Sequence, residues 1–87
     1  MMLVKTFNGH EASVKCLVIS SNNKYIFSGS RDNSIIMWNI SVGEVVRKFQ
    51  YTDNILSISL SNDNKTLVSS SCDCNIIIWN VDTTEIL

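Results

Sequence analysis

Short apolar runs separated by clusters of Asn, Asp, Ser and Gly alternate along the whole chain. Residues 14–20 (VKCLVIS) lead into Ser-Asn-Asn-Lys, Tyr25–Ser30 (YIFSGS) into Arg-Asp-Asn-Ser, and residues 35–40 (IIMWNI) into a reversal that carries Gly43. Residues 45–49 (VVRKF) close this series. Runs this short, and this rich in β-branched and aromatic side chains, predict strands. Asn and Asp in the links predict tight reversals, because both tolerate left-handed backbone and hydrogen-bond their own turn. A four-stranded antiparallel meander is the expected product. The same order then returns as Ile55–Leu60, Thr66–Ser71, residues 75–81 and a last stub at 85–87.

The third run of each series is apolar without a break, Ile35-Ile36-Met37-Trp38 and Ile76-Ile77-Ile78-Trp79. Alternation marks a sheet with one wet face, so an unbroken run predicts a sheet covered on both. The return is also a sequence repeat. A shift of 41 residues superposes Ser20 on Ser61, Asn23-Lys24 on Asn64-Lys65, Ser28 on Ser69, Asp32 on Asp73, Trp38-Asn39 on Trp79-Asn80 and Glu44 on Glu85. An ordered series of polar, aliphatic and aromatic matches at one interval is the signature of stacked supersecondary units.

Gly9-His10, then Ser28-Gly29-Ser30-Arg31-Asp32, then Trp38-Asn39 make the chain resemble the WD40 repeat, the four-stranded blade of a β-propeller. His10 precedes Asp32 by 22 residues, and Trp38 follows six later, a combined spacing far more specific than a Trp followed by an acidic residue. Asn follows both Trp residues where that family usually has Asp. The expected fold is all-β, with two four-stranded antiparallel WD40 blades forming an incomplete β-propeller. As one repeat region, 1–87 divides into a first repeat at about 3–41, a second at 45–81, and the start of a further strand at 82–87. Residues 3–7 resemble 45–49 and are expected to form a strand that closes a preceding blade.

The resemblance implies a buried hydrogen-bonded tetrad of His10, Ser28, Asp32 and Trp38, with Ser69, Asp73 and Trp79 recurring in the second copy. Tyr51 or Thr52 stands there in place of the His. A buried indole N–H needs an acceptor, a serine hydroxyl supplies one, and imidazole bridges that hydroxyl to a carboxylate. His, Ser and Asp together also invite a hydrolase reading, but catalysis needs an exposed nucleophile and an oxyanion hole, whereas this pattern buries the serine beside Trp. A non-catalytic chain with no cofactor is expected.

Seven basic and eight acidic residues give a net charge of −1 with no run of one sign, which disfavours nucleic acid and anionic lipid as partners. No stretch reaches membrane-spanning length, and the first ten residues lack the apolar core of a signal peptide. The expected location is intracellular, in the cytoplasm with the nucleus left open. Three cysteines without a secretory signal read as free thiols. Cys72-Asp73-Cys74 lacks the further ligands a zinc site needs, so no metal is expected.

WD40 propellers close into rings, and two blades cannot, so the outer apolar faces of this pair need cover. The expected explanation is that the chain is a piece of a larger propeller. The alternatives are a homo-oligomer, or blades that complete a partner's ring. By resemblance the function is a protein–protein interaction scaffold that takes a protein or peptide partner. The family's usual contact positions correspond to Ser13, Lys15 and Arg31 in the first copy, and to Asn54, Leu56 and Cys72 in the second. Arg31 leads this set, because its planar fork of donors suits a carboxylate or phosphate. Solvated loop residues without a partner are the plainer expectation for Ser13, Asn54 and Cys72.

Overall fold

A computed structural model describes residues 6–87 of the chain. Its strands are β1 (Val14–Ile19), β2 (Tyr25–Ser30), β3 (Ser34–Asn39), β4 (Val45–Gln50), β5 (Ile55–Leu60), β6 (Thr66–Ser71) and β7 (Ile76–Asn80). They form a four-stranded sheet in the order β1-β2-β3-β4 and a three-stranded sheet in the order β5-β6-β7, antiparallel throughout. The fourth strand expected of the second copy is reduced to one antiparallel bridge, Ile86 opposite Trp79. Of the strand expected at residues 3–7, positions 3–5 lie outside the described residues, and Thr6 and Phe7 carry no strand pairing.

The turns follow the chemistry of their residues. Asn23, Asn33 and Asn64 take φ of 59°, 71° and 62°, and Gly43 takes 74°. Cys74 and Thr84, which replace Asn33 and Gly43 one repeat later, adopt the same left-handed backbone at 72° and 63°. At the first hairpin the Ser20 hydroxyl donates to Asn22 Oδ1 at 2.5 Å and accepts from the Tyr25 N–H at 3.0 Å. Ser61, Asp63 and Thr66 repeat that arrangement at 2.5 and 3.0 Å. Asn64 also reaches across to Ser21 of the first sheet, its side chain accepting from the Ser21 N–H at 3.0 Å and donating to the hydroxyl at 2.9 Å.

One face of the first sheet packs on the opposite face of the second. Phe27, Ile35, Met37 and Phe49 from the first meet Ile55, Leu67, Ile77, Trp79 and Val81 from the second in a single buried cluster. Each large side chain so buried contributes about 1.5–3 kcal/mol. Phe49 stands edge-on to Trp79 with ring centroids 5.7 Å apart. Gly29 permits the close approach, since a Cβ there would lie 2.6 Å from Ile55 Cγ2 and 2.5 Å from Cys16 Sγ.

β3 is buried from Ser34 to Trp38, as its unbroken apolar run predicts, but β7 alternates. Ile77 and Trp79 are buried, whereas Ile76 and Ile78 are 76% and 44% exposed. The expectation of cover on both faces fails for β7 because, among the described residues, no sheet lies against its outer side. On the far side of the molecule, Leu17 and Ile19 of β1 are likewise exposed.

Candidate functional site

The segment before β1, the β2–β3 turn, the β4–β5 link and the β6–β7 turn share one end of the two sheets, by the antiparallel order of the strands. Beneath this end, β2 and β3 set Ser28 opposite Ile36 and Ile26 opposite Trp38, which brings serine and indole to the same face. Trp38 Nε1 donates to Ser28 Oγ at 2.7 Å. The Ser28 hydroxyl lies 2.6 Å from His10 Nε2, and His10 Nδ1 lies 2.9 Å from Asp32 Oδ2. One proton order satisfies every member: indole to hydroxyl, hydroxyl to imidazole, and imidazole Nδ1–H to carboxylate. Phe7 stands edge-on to Trp38 at 5.6 Å, and Gly9 lets the chain pass, since a Cβ on it would lie 2.7 Å from the indole Cη2.

Asp32 is the most heavily solicited atom set in this network. Its carboxylate also accepts from the Glu11 N–H at 3.0 Å, the Ser34 N–H at 3.0 Å and the Ser34 hydroxyl at 2.6 Å. Burial works to raise its pKa, but the bonds from Ser34, Glu11 and His10 hold it far below the usual carboxylate range.

The second copy divides the same network in two. Trp79 Nε1 donates to Ser69 Oγ at 2.9 Å, and Tyr51 donates its hydroxyl to Asp73 Oδ2 at 2.6 Å. No hydrogen bond joins Tyr51 to Ser69 among the described residues, so the carboxylate half and the indole half stand apart. Of the two candidates to replace histidine, the structure places Tyr51 there. Asp73 also accepts from Ser71 and from the backbone and side chain of Asn75. The Ser71 and Tyr51 bonds lead in lowering its pKa.

The positions expected to meet a partner lie above these networks at the same end. The Arg31 N–H donates to the Ser13 carbonyl at 3.0 Å, and one repeat later the Cys72 N–H donates to the Asn54 carbonyl at 3.1 Å. Strand register slips between Val14 and Cys16 and again between Ile55 and Ser57, which makes Lys15 and Leu56 the bulged residues of β1 and β5. A bulge bends its strand and re-aims the extra side chain. Lys15, Arg31, Ser13 and Cys72 are exposed, Leu56 is 47% exposed, and Asn54 is half-buried.

Sequence reasoning missed Ser34 and the Glu11 amide as holders of Asp32, and both bulges. The recurring aromatic ahead of each network, Phe7 and Phe49, was the available signal for ring packing on each Trp. Among the described residues no group of three His, Cys, Asp or Glu gathers in a way that holds a metal ion. Cys72 and Cys74 are exposed free thiols, and burial pushes the half-buried Cys16 thiol up.

Antiparallel meanders stacked face on face, each with a serine receiving an indole N–H, define a β-propeller repeat protein. The chain belongs to the WD40 family: the family description, "WD domain, G-beta repeat", matches residues 1–39 and 43–80. This family consists in general of non-catalytic scaffolds that bind protein partners. Eukaryotic translation initiation factor 3 subunit I of Aspergillus terreus is 37% identical over 46 residues, covering 53% of this chain and 14% of that protein. WD repeat and FYVE domain-containing protein 1 of Homo sapiens is 50% identical over 38 residues, or 44% of this chain and 9% of that one. The U3 small nucleolar RNA-associated protein 15 homolog of Bos taurus is 34% identical over 58 residues, or 67% and 11%. A solved structure of U3-55K superposes with a TM-score of 0.90 at 28% identity, covering 95% of this chain and 28% of that one. The chain thus spans 9–14% of the length of these three curated relatives and 28% of that solved chain.

Proposed function

We propose that the chain is a non-catalytic interaction scaffold that takes a protein or peptide across the loop end of its two sheets, with Arg31 as leading contact. The repeated geometry of that end carries the reading. In each copy one carbonyl–amide bond ties the segment before the first strand to the turn after the second, and a bulge turns out one side chain beside it. A hydrolase reading gains no support, since Ser28 is 3% exposed and its hydroxyl lies between indole and imidazole. Residues 3–41 and 45–81 act as the two repeat units of this scaffold, and 82–87 begin another strand. Relatives named for translation initiation and small nucleolar RNA support an intracellular place, which we assign to the cytoplasm with the nucleus left open. A net charge of −1 favours protein over nucleic acid as the partner.

Photocrosslinking in cells, from a benzoylphenylalanine at position 31 and separately at position 76, tests the proposal. Discrete protein adducts from 31 support it. Adducts from 76 alone move the contact to the sheet face, and RNA adducts from 31 overturn the choice of partner. A second reading, that the chain supplies blades to a larger ring, is favoured by Leu17 at 66% and Ile76 at 76% exposure on the two outer faces.

A further inference from the structure

The loop end is chemically divided between its two copies. Lys15 and Arg31 put two cations on the first copy, while the equivalent positions of the second hold Leu56 and Cys72. Among the described residues the side chains of Lys15 and Arg31 have no ion pair or hydrogen bond, while the nearest carboxylate in sequence, Asp32, is committed to His10, Glu11 and Ser34. Exposed apolar and cationic side chains thus stand at matching places on neighbouring strands, each turned out by a bulge at the same register.

Resting on the loop-end reading above, we infer that this surface recognises an extended peptide bearing an acidic side chain and an apolar side chain a short, fixed distance apart. The acid lies on Lys15 and Arg31, and the apolar residue lies on Leu56 and Cys72. β1 and β5 pack against each other across the joint between the two sheets, and stacked sheets lie about 10 Å apart. An extended chain advances about 3.3 Å per residue, so the two recognition points match side chains two or three residues apart. Arg provides the directional half, because its fork meets a carboxylate through two parallel bonds, while Lys adds a point charge. Leu56 provides the other half by losing its solvent-exposed surface to an aliphatic or aromatic residue. The opposite pairing of charge, a basic peptide, meets two uncompensated cations and is rejected.

The test is fluorescence anisotropy on the whole chain with labelled Gly/Ser peptides carrying one Glu and one Leu, the Leu placed one to five residues after the Glu or before it. Binding is expected to peak at a separation of two or three in one direction. It should weaken at least tenfold when Glu becomes Gln or Lys, and weaken again as salt rises. Arg31→Glu with Lys15→Glu should remove the preference for acid, and Leu56→Ser the preference for Leu. All three positions are exposed, so circular dichroism of each variant should match the parent. Binding that depends on Leu56 and Arg31 but ignores the peptide's acid overturns this inference and leaves the loop-end scaffold standing. Binding lost only through Ile76→Ser or Leu17→Ser overturns the scaffold reading as well. No binding at any spacing overturns the inference.

Discussion

Thr84 holds φ at 63° where its counterpart one repeat earlier is Gly43 at 74°. A β-branched side chain in the left-handed region is strained by roughly 1–2 kcal/mol, and glycine returns part of that through its looser unfolded chain. Thr84→Gly is therefore expected to raise stability by about 0.5–1 kcal/mol, read as a higher urea midpoint. Trp38, 3% exposed and bonded to Ser28, lies at the other extreme. Trp38→Ala should lower stability by about 3–5 kcal/mol through the cavity it opens. Asp32 makes stability depend on pH with a definite sign. Its pKa is depressed in the folded chain, so its contribution is complete above the ordinary carboxylate pKa near ~4 and declines as pH falls below it. Asp63 and Asp73 shift in the same direction. Urea midpoints at pH 6, 4 and 3 should fall toward acid in the parent and fall less in Asp32→Asn, which isolates the Asp32 share. At this scale much was legible. The 41-residue match picks out both Trp–Ser pairs and Asp32. It could not show that Tyr51 would reach Asp73 and stop short of Ser69, because a phenol's reach depends on how the β4–β5 link is laid.

At the scale of elements, strand order and turn placement follow from residues that have few alternatives. Asn23, Asn33 and Asn64 sit in the left-handed region that their positions between apolar runs predict. Two things were out of reach. The slips at Lys15 and Leu56 leave no mark in composition, since a bulge changes pairing and not residue type. The apolar run of β7 reports what its faces can tolerate and not what lies against them, so Ile76 and Ile78 were expected to be covered. The join between the sheets gives the sharpest test at this scale. Gly29→Ala would set a methyl group 2.5 Å from Cys16 Sγ and 2.6 Å from Ile55 Cγ2, and Ile55 is fully buried. The expected cost is about 1–3 kcal/mol. In a double-mutant cycle Ile55→Ala, destabilising by itself through the cavity it leaves, should cost less in the Gly29→Ala chain than in the parent, which a purely local backbone effect of the alanine would not allow.

For the whole molecule, the outer faces govern behaviour in solution. Leu17, Ile19 and Val14 crowd one side and Ile76 and Ile78 the other, an apolar exposure that drives association when nothing covers it. Light scattering on the 87-residue chain should show species heavier than a monomer. Leu17→Ser with Ile76→Ser should shift them toward monomer while the β spectrum persists. A structured wild-type monomer at the same concentration would mean that the faces tolerate water.

The two sheets do not meet as mirror images: the face that holds Phe27 and Met37 meets the face that holds Trp79. Such a joint has a donor side and an acceptor side, and both kinds recur with the repeat. A tandem copy of the 41-residue segment added in frame therefore brings its own fitting joint and keeps every turn in phase. Gene duplication can lengthen this architecture in whole steps without inventing a contact, whereas an insertion of any other length must be absorbed in a loop.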